Sequence, residues 1–377
     1  MRISSSFDSG NIEVVADSDP GDVRLRIRKD TASDFFQWFH FRASEVAGRD
    51  CRFSILNAGD ASYPKGWENY RACASYDRAH WFRVPTSYEK GVLRFRLRPE
   101  QDSVYFAYFA PYSRERHRDF IARCQAAPGV SAEVVGETVN GDDIDLLVLA
   151  DPNRPAAEGR RACWVIGRQH PGETMAQWWM EGFVDRLLDP GDSVARAVLA
   201  GATVYAVPNM NPDGSVLGNL RTNAVGANLN REWAEPTLER SPEVFHVRRR
   251  MAETGVDFAL DVHGDEGLPY VFIAGGDNVP SMSDRQRGLL DAYFEALSRA
   301  NPDFQTEHGY PRGGKPNLSM CANDLAENFG CLAMTLEMPF KDNANAPDEA
   351  VGWSPDRCRR LGADCLAALR DVLPRLR

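Results

Sequence analysis

The period of the hydrophobic pattern changes once along the chain, near residues 108–120, and that change constrains the fold more than any other feature. Before it, apolar and polar residues alternate over short runs: IEVVA, VRLRIRK, DFFQWFHFRAS, CRFSILNAG, HWFRVPTSY, VLRFRLRPE and DSVYFAYFAPY. Val23, Leu25 and Ile27 share one face of their run, and Leu93, Phe95 and Leu97 share one face of theirs. Successive strand side chains point to opposite faces, so a period of two marks half-buried antiparallel strands. Several such runs, separated by turn residues and without a long helix, predict a β-sandwich over residues 1–115. The aromatics crowded into it (Phe35, Phe36, Trp38, Phe39 and Phe41) are expected in its core.

Beyond the change, strands alternate with helices. Strands are predicted at 131–137, 143–150, 162–169, 202–208, 257–262, 269–274 and 331–337. Helices are predicted at 114–124, 174–188, 193–200, 241–253, 283–300 and 355–372. This alternation predicts an α/β domain over 116–377, with a mixed sheet covered by helices on both faces.

Composition narrows the function class. A chain of 377 residues is long enough for two cores, and 43% hydrophobic with 26% charged residues is globular. The net charge of −10 argues against nucleic acid as a partner, because phosphate needs basic patches. No apolar run approaches the roughly 20 residues that span a bilayer, so no membrane partner is expected. The N-terminus lacks a charged-then-apolar signal pattern, which makes the cytoplasm the expected compartment. The eight cysteines are scattered without CxxC pairs, as befits reduced, buried thiols.

Polar residues gather at the ends of the predicted strands. His170 and Glu173 follow CWVIGRQ, Asn209 and Asn211 follow TVYAVP, His263 follows DFALDV, and Glu337 closes CLAMTL. In an open α/β sheet, ligands bind beyond the carboxyl ends of the strands, where strand order reverses. His170 and Glu173 stand three apart across Pro171 and Gly172, with His263 about ninety residues on. Two histidines and one glutamate make a ligand set suited to one Zn2+ per chain. Asp261 or Asp265 is placed to orient the outer nitrogen of His263. His40, His80, His117, His246 and His308 stand in exposed or ordinary strand contexts and are not candidates. Glu337, a lone carboxylate in a β-prone run, suits a general base for a zinc-bound water. Arg221 and Arg231 lie in a Gly/Asn-rich loop, where one arginine could stabilise an oxyanion and another, with an asparagine, could hold a carboxylate.

The motifs HPGE (170–173), NPDG (211–214), NLRTNAVGANLNR (219–231), DVHG (261–264) and TLEMPF (335–340) together resemble the zinc carboxypeptidases, and more closely their cytosolic branch. That resemblance covers about 120–377, and the N-terminal sandwich is what distinguishes the cytosolic branch. It implies His170, Glu173 and His263 as zinc ligands, Glu337 as general base and Arg221 as oxyanion stabiliser. It further implies that Asn230 and Arg231 bind the substrate's terminal carboxylate, and that Tyr310 is a mobile loop tyrosine. The expected substrate is a peptide or protein C-terminus. Arg312 and Lys315, in the loop before the base, suggest an acidic (glutamate) preference. Two other readings remain at this point: an aspartoacylase-type zinc amidohydrolase of small N-acyl amino acids, and a peptide-binding module without catalysis. The sequence leaves the oligomeric state undetermined.

Overall fold

A computed structural model describes residues 1–153, 159–276, 278–311, 313 and 315–376. The N-terminal part is a sandwich of two five-stranded sheets. One sheet runs β1 (Arg2–Ser4), β4 (His40–Ser44), β10 (Ser103–Ala107), β6 (Cys73–Ser75) and β7 (Phe82–Arg83). The other runs β2 (Glu13–Ala16), β3 (Val23–Arg26), β5 (Cys51–Ile55), β9 (Val92–Leu97) and β8 (Thr86–Glu89). The alternating residues behave as their period requires: Val23, Leu25, Ile27, Leu93 and Phe95 are buried, and Leu97 packs partly buried at the edge. Phe53 and Phe95 stack at 5.2 Å, and Phe41 and Phe106 at 5.3 Å, between the two sheets.

Two features depart from expectation. β3 and β5 pair in parallel, because alternation specifies which face is buried and is blind to strand direction. β1 and β6, three residues each, are too short to display a period.

The C-terminal part carries a seven-stranded mixed sheet. Its order is β11 (Val130–Glu137), β12 (Asp143–Leu149), β14 (Ala202–Val207), β13 (Arg161–Gly167), β15 (Phe258–Asp265), β17 (Leu332–Pro339) and β16 (Phe272–Ala274). The central four, β14, β13, β15 and β17, are parallel, so their carboxyl ends open on the same edge. β13 leads to β14 on one side and has β15 on the other, which places a switch in strand order at its end.

Helices cover both faces. Cys163 and Val165 face α1 (Arg114–Gln125), α2 (Met175–Leu187), α3 (Ser193–Gly201), α6 (Asp284–Ala300) and α8 (Pro355–Val372) in one core. Trp164 and Ile166 face α5 (Pro242–Thr254) and α7 (Cys321–Phe329) in the other. α2 is buried nearly all round, and Gly182 allows α8 to approach: a Cβ there would lie 2.0 Å from Arg359 O. α4 (Pro212–Leu217) and α7 are absent from the sequence expectation. α4 has only six residues, and α7 buries Asn323 and Asp324 among its apolar positions, which masks its period. The first core runs on without a break into the sandwich, where Tyr108 stacks on Phe340 at 4.4 Å. Among the described residues no helix is long and apolar enough to cross a membrane.

Candidate active site

The site starts where β13 ends. Arg168 sits at φ +60°, a region that non-glycine residues seldom occupy. Its buried guanidinium holds the turn by donating to Pro171 O and Tyr112 O, both at 2.9 Å, and to the Gln177 side chain. Asn211, at the end of β14, donates to Gln169 O at 3.0 Å and caps α4 through Gly214 N. The strand-end asparagine therefore braces the turn rather than entering the cleft.

That turn presents His170 and Glu173 to His263 at the end of β15, and all three are buried. One donor atom from each lies within 4.8 Å of the others. Both rings turn Nδ1 inward: His170 Nδ1 lies 2.7 Å from Glu173 Oε1, and His263 Nδ1 lies 2.8 Å from Glu173 Oε2. Their outer nitrogens are engaged, His170 Nε2 with Asn228 Oδ1 at 3.0 Å and His263 Nε2 with Asp261 Oδ2 at 2.8 Å. With Nε2 holding the proton, each Nδ1 offers a lone pair, yet the two Nδ1 atoms are only 3.2 Å apart. Two lone pairs and a carboxylate converging in a buried space fit a zinc ion, and the outer partners fix the tautomers that ligation needs. Of the two aspartates considered, Asp261 orients His263, while Asp265 Oδ2 accepts from Tyr310 OH at 2.7 Å.

Electrostatics agree with a cation site. Burial, then the Arg221 charge, pushes His170 down to about 4, so its ring is neutral and free to ligate. Burial pulls His263 down, but Asp261 and Glu173 outweigh it and hold its proton tightly. A divalent cation at the convergence would replace that proton. Burial opposes ionisation of Glu173, and the two rings reverse that and lower it.

Glu337 stands beside His263 with its Oε2 buried and unpartnered among the described residues, and its Oε1 3.2 Å from Tyr310 OH. Burial, reinforced by Glu173, Asp265 and Glu266, raises its carboxyl well above the usual range. A cavity of about 1050 Å³ brings His170, Glu173, His263 and Glu337 together with Arg221, Asn230, Arg231 and Tyr310. Asn230 Oδ1 accepts from Cys321 N at 2.9 Å, which among the described residues leaves its amide NH2 for a ligand. Arg231 donates to Asn230 O at 2.6 Å, and burial with the Arg221 charge lowers its affinity for its proton. An adjoining cavity of about 620 Å³ shares Tyr310 and Glu337 and is walled by Lys315. Arg312 lies outside the described residues.

Several contributors were not legible beforehand. Gln169 and Glu266 have no motif of their own, and Asn228 lies inside NLRTNAVGANLNR without having been singled out; Gln169 donates to Asp261 at 2.7 Å and accepts from Trp233 at 2.8 Å. Phe35, expected in the sandwich core, instead lies half-buried with the Arg221 guanidinium 5.6 Å from its ring centre. His40 opens β4, an ordinary strand context, and is buried, whereas His117 is neither exposed nor in a strand: it is buried on α1 and pairs with Asp145 at 2.9 Å. The eight cysteines are buried thiols, as composition suggested.

Two buried histidines converging with a carboxylate, a second buried carboxylate beside them and a cavity with two arginines, at the carboxyl edge of a mixed sheet, define a metallopeptidase class of site. A family profile described as zinc carboxypeptidase matches residues 119–343, and one described as cytosolic carboxypeptidase N-terminal domain matches residues 3–109. The chain belongs to the zinc carboxypeptidase family and is a peptide hydrolase. A metallo-carboxypeptidase from Burkholderia cenocepacia is 49% identical, with 99% of each chain covered and a TM-score of 0.96. One from Pseudomonas aeruginosa, solved with (2-guanidinoethylmercapto)succinic acid, is 46% identical, with 100% of each chain covered and a TM-score of 0.97. Cytosolic carboxypeptidase 3 of Bos taurus is 26% identical over 77% of this chain, which spans 31% of that relative's length.

Proposed function

We propose that the chain removes single residues from the C-terminus of peptides or proteins in the cytoplasm, using one zinc ion per chain held by His170, Glu173 and His263. In this reading the sandwich spans 1–115 and the catalytic domain 116–377. The observation that carries it is the Oε2 of Glu337, buried and without a partner among the described residues, beside the converging donors of His170, Glu173 and His263. Zinc bound there supplies Lewis acidity toward the scissile carbonyl and its attacking water. Arg231 and the Asn230 amide grip the terminal carboxylate, which fixes the last peptide bond over the site. Glu337 takes a proton from the attacking water at Oε2 and delivers it to the departing amine. Arg221 donates to the carbonyl oxygen as charge develops on it. Tyr310, with its hydroxyl already near Glu337, closes over the bound end as the loop tyrosine.

For the side chain removed, Lys315 on the adjoining cavity favours an acidic residue, with Arg312 in the same loop. A second reading, a basic residue, follows from the Pseudomonas relative, whose ligand joins a guanidine to succinic acid. Mass spectrometry of zinc-loaded protein with peptides ending in Glu, Asp, Lys, Arg, Leu or Ala tests both. Stepwise C-terminal loss is expected from the wild type and not from Glu337→Gln. Preference for Glu that Lys315→Ala abolishes supports the acidic reading, and preference for Lys or Arg supports the basic one. Internal cleavage, or hydrolysis of acylated amino acids alone, would overturn the proposal.

A further inference from the structure

The backbone that carries Arg221 is held by the sandwich. Asp30, buried in the turn after β3, accepts from Leu220 N at 2.6 Å through Oδ1. Its Oδ2 accepts from Arg221 N at 2.7 Å, Thr222 N at 3.0 Å and Thr222 Oγ1 at 3.1 Å. One carboxylate thus nests three consecutive amides, and burial, which pushes it up, is opposed by these four donors. The same loop leaves no slack at Gly226, at φ +81°, where a Cβ would lie 2.2 Å from Ala32 O.

The side chain is held from the sandwich as well. The Arg221 guanidinium lies 5.6 Å from the Phe35 ring centre and 5.5 Å from that of Tyr63. Aromatic faces attract a cation without consuming its N–H donors, which point outward in the guanidinium plane. Glu266, Glu173 and Glu337 act on its charge through space, and none of them hydrogen-bonds to it among the described residues. A long arginine side chain loses rotamer freedom when it is held in one place, and a donor fixed before reaction need not reorganise during it.

We propose that Asp30, Phe35 and Tyr63 are positioning residues for the peptidase reaction: the sandwich presents Arg221 to the scissile carbonyl, and the catalytic site is incomplete without it. This rests on the reading of Arg221 as oxyanion donor. The test is a double-mutant cycle in the full, zinc-loaded chain with Asp30→Asn, Arg221→Ala and their combination. Asp30→Asn puts an NH2 group or a neutral oxygen against the amides. Arg221→Ala should lower kcat by about 10²–10³-fold, the usual cost of an oxyanion donor. Asp30→Asn should lower kcat by about 10-fold or more with KM within about twofold and bound zinc unchanged, as a loss confined to the transition state requires. In the Arg221→Ala background it should cost less than about twofold further.

Full turnover in Asp30→Asn, an additive loss in the double variant, or a matching loss of zinc would overturn the positioning role while leaving that of Arg221 intact. Unchanged kcat in Arg221→Ala would instead overturn the reading beneath it. If Asp30→Asn does not fold, Tyr63→Leu, which leaves the Asp30 bonds in place, enters the same cycle under the same criteria.

Discussion

His263 and Glu337 are paired residues on adjacent parallel strands, β15 and β17, in register with one another. Their side chains therefore leave the sheet on the same face, and the ladder rather than a loop sets their separation. If one is a ligand and the other a base, removing the base should leave the metal undisturbed. Glu337→Gln is expected to lose about 10²–10⁴-fold in kcat, the range for a positioned general base, while retaining stoichiometric zinc. Metal analysis of the purified variant checks this beside its turnover. Loss of zinc with activity would make Glu337 a ligand instead.

The outer partners of the ligands should govern metal affinity. Asp261 Oδ2 takes bonds from both His263 Nε2 at 2.8 Å and Gln169 Nε2 at 2.7 Å, so one oxygen fixes ring and turn together. Asp261→Ala is expected to weaken zinc about 10- to 100-fold, with turnover at saturating zinc much less affected. Competition against a chromogenic chelator measures it. Unchanged affinity would mean that the histidines are oriented by packing alone.

What the sequence disclosed and what it hid follow from range. His170 and Glu173 lie in the turn after β13, and His263 and Glu337 near the ends of β15 and β17; strand ends in α/β sheets are where ligands collect, so local patterning exposed them. Alternation likewise exposed Leu25 and Phe95 as core residues. Asp30 and Phe35 were hidden because their partners are about 190 residues away, and a carboxylate or aromatic in a turn has no pattern of its own. The direction of β5 beside β3 was hidden because patterning encodes the buried face alone. The cavity wall built from Tyr63 and Lys65 was hidden for the same reason as Asp30: it exists only after the sandwich docks.

Arg231 should report on the substrate's charged end. It has solvent on one side and Asn230 O on the other, and Arg221 stands near enough to repel it. A carboxylate relieves that repulsion. Arg231→Ala is expected to raise KM by about 10-fold or more, as for loss of a charge-assisted hydrogen bond worth about 1.5–3 kcal/mol, with a smaller change in kcat. Peptides with an amidated C-terminus should bind wild type and variant equally poorly. If the variant discriminates free from amidated ends as wild type does, another group holds the carboxylate.

Glu243 couples the loop carrying the arginines to pH. It is fully buried at the start of α5, with Asn223 Nδ2 at 3.3 and 3.4 Å from its two oxygens, and Asn223 in turn accepts from Ala227 N at 2.9 Å. Burial, with Asp213 adding repulsion, raises its carboxyl from 4.5 to about 7. A raised pKa means that the folded state binds the proton more tightly than the unfolded chain. The stability this provides is complete below about 4.5 and is lost as pH rises through about 7, a change of about 3 kcal/mol. Glu243→Gln keeps the shape of the protonated acid and cannot ionise. Its Tm should match wild type near pH 5 and exceed it at pH 8, flattening the profile between. A wild-type profile that is flat or rises over that interval, unaltered by the substitution, would show that Glu243 is ionised in the folded protein.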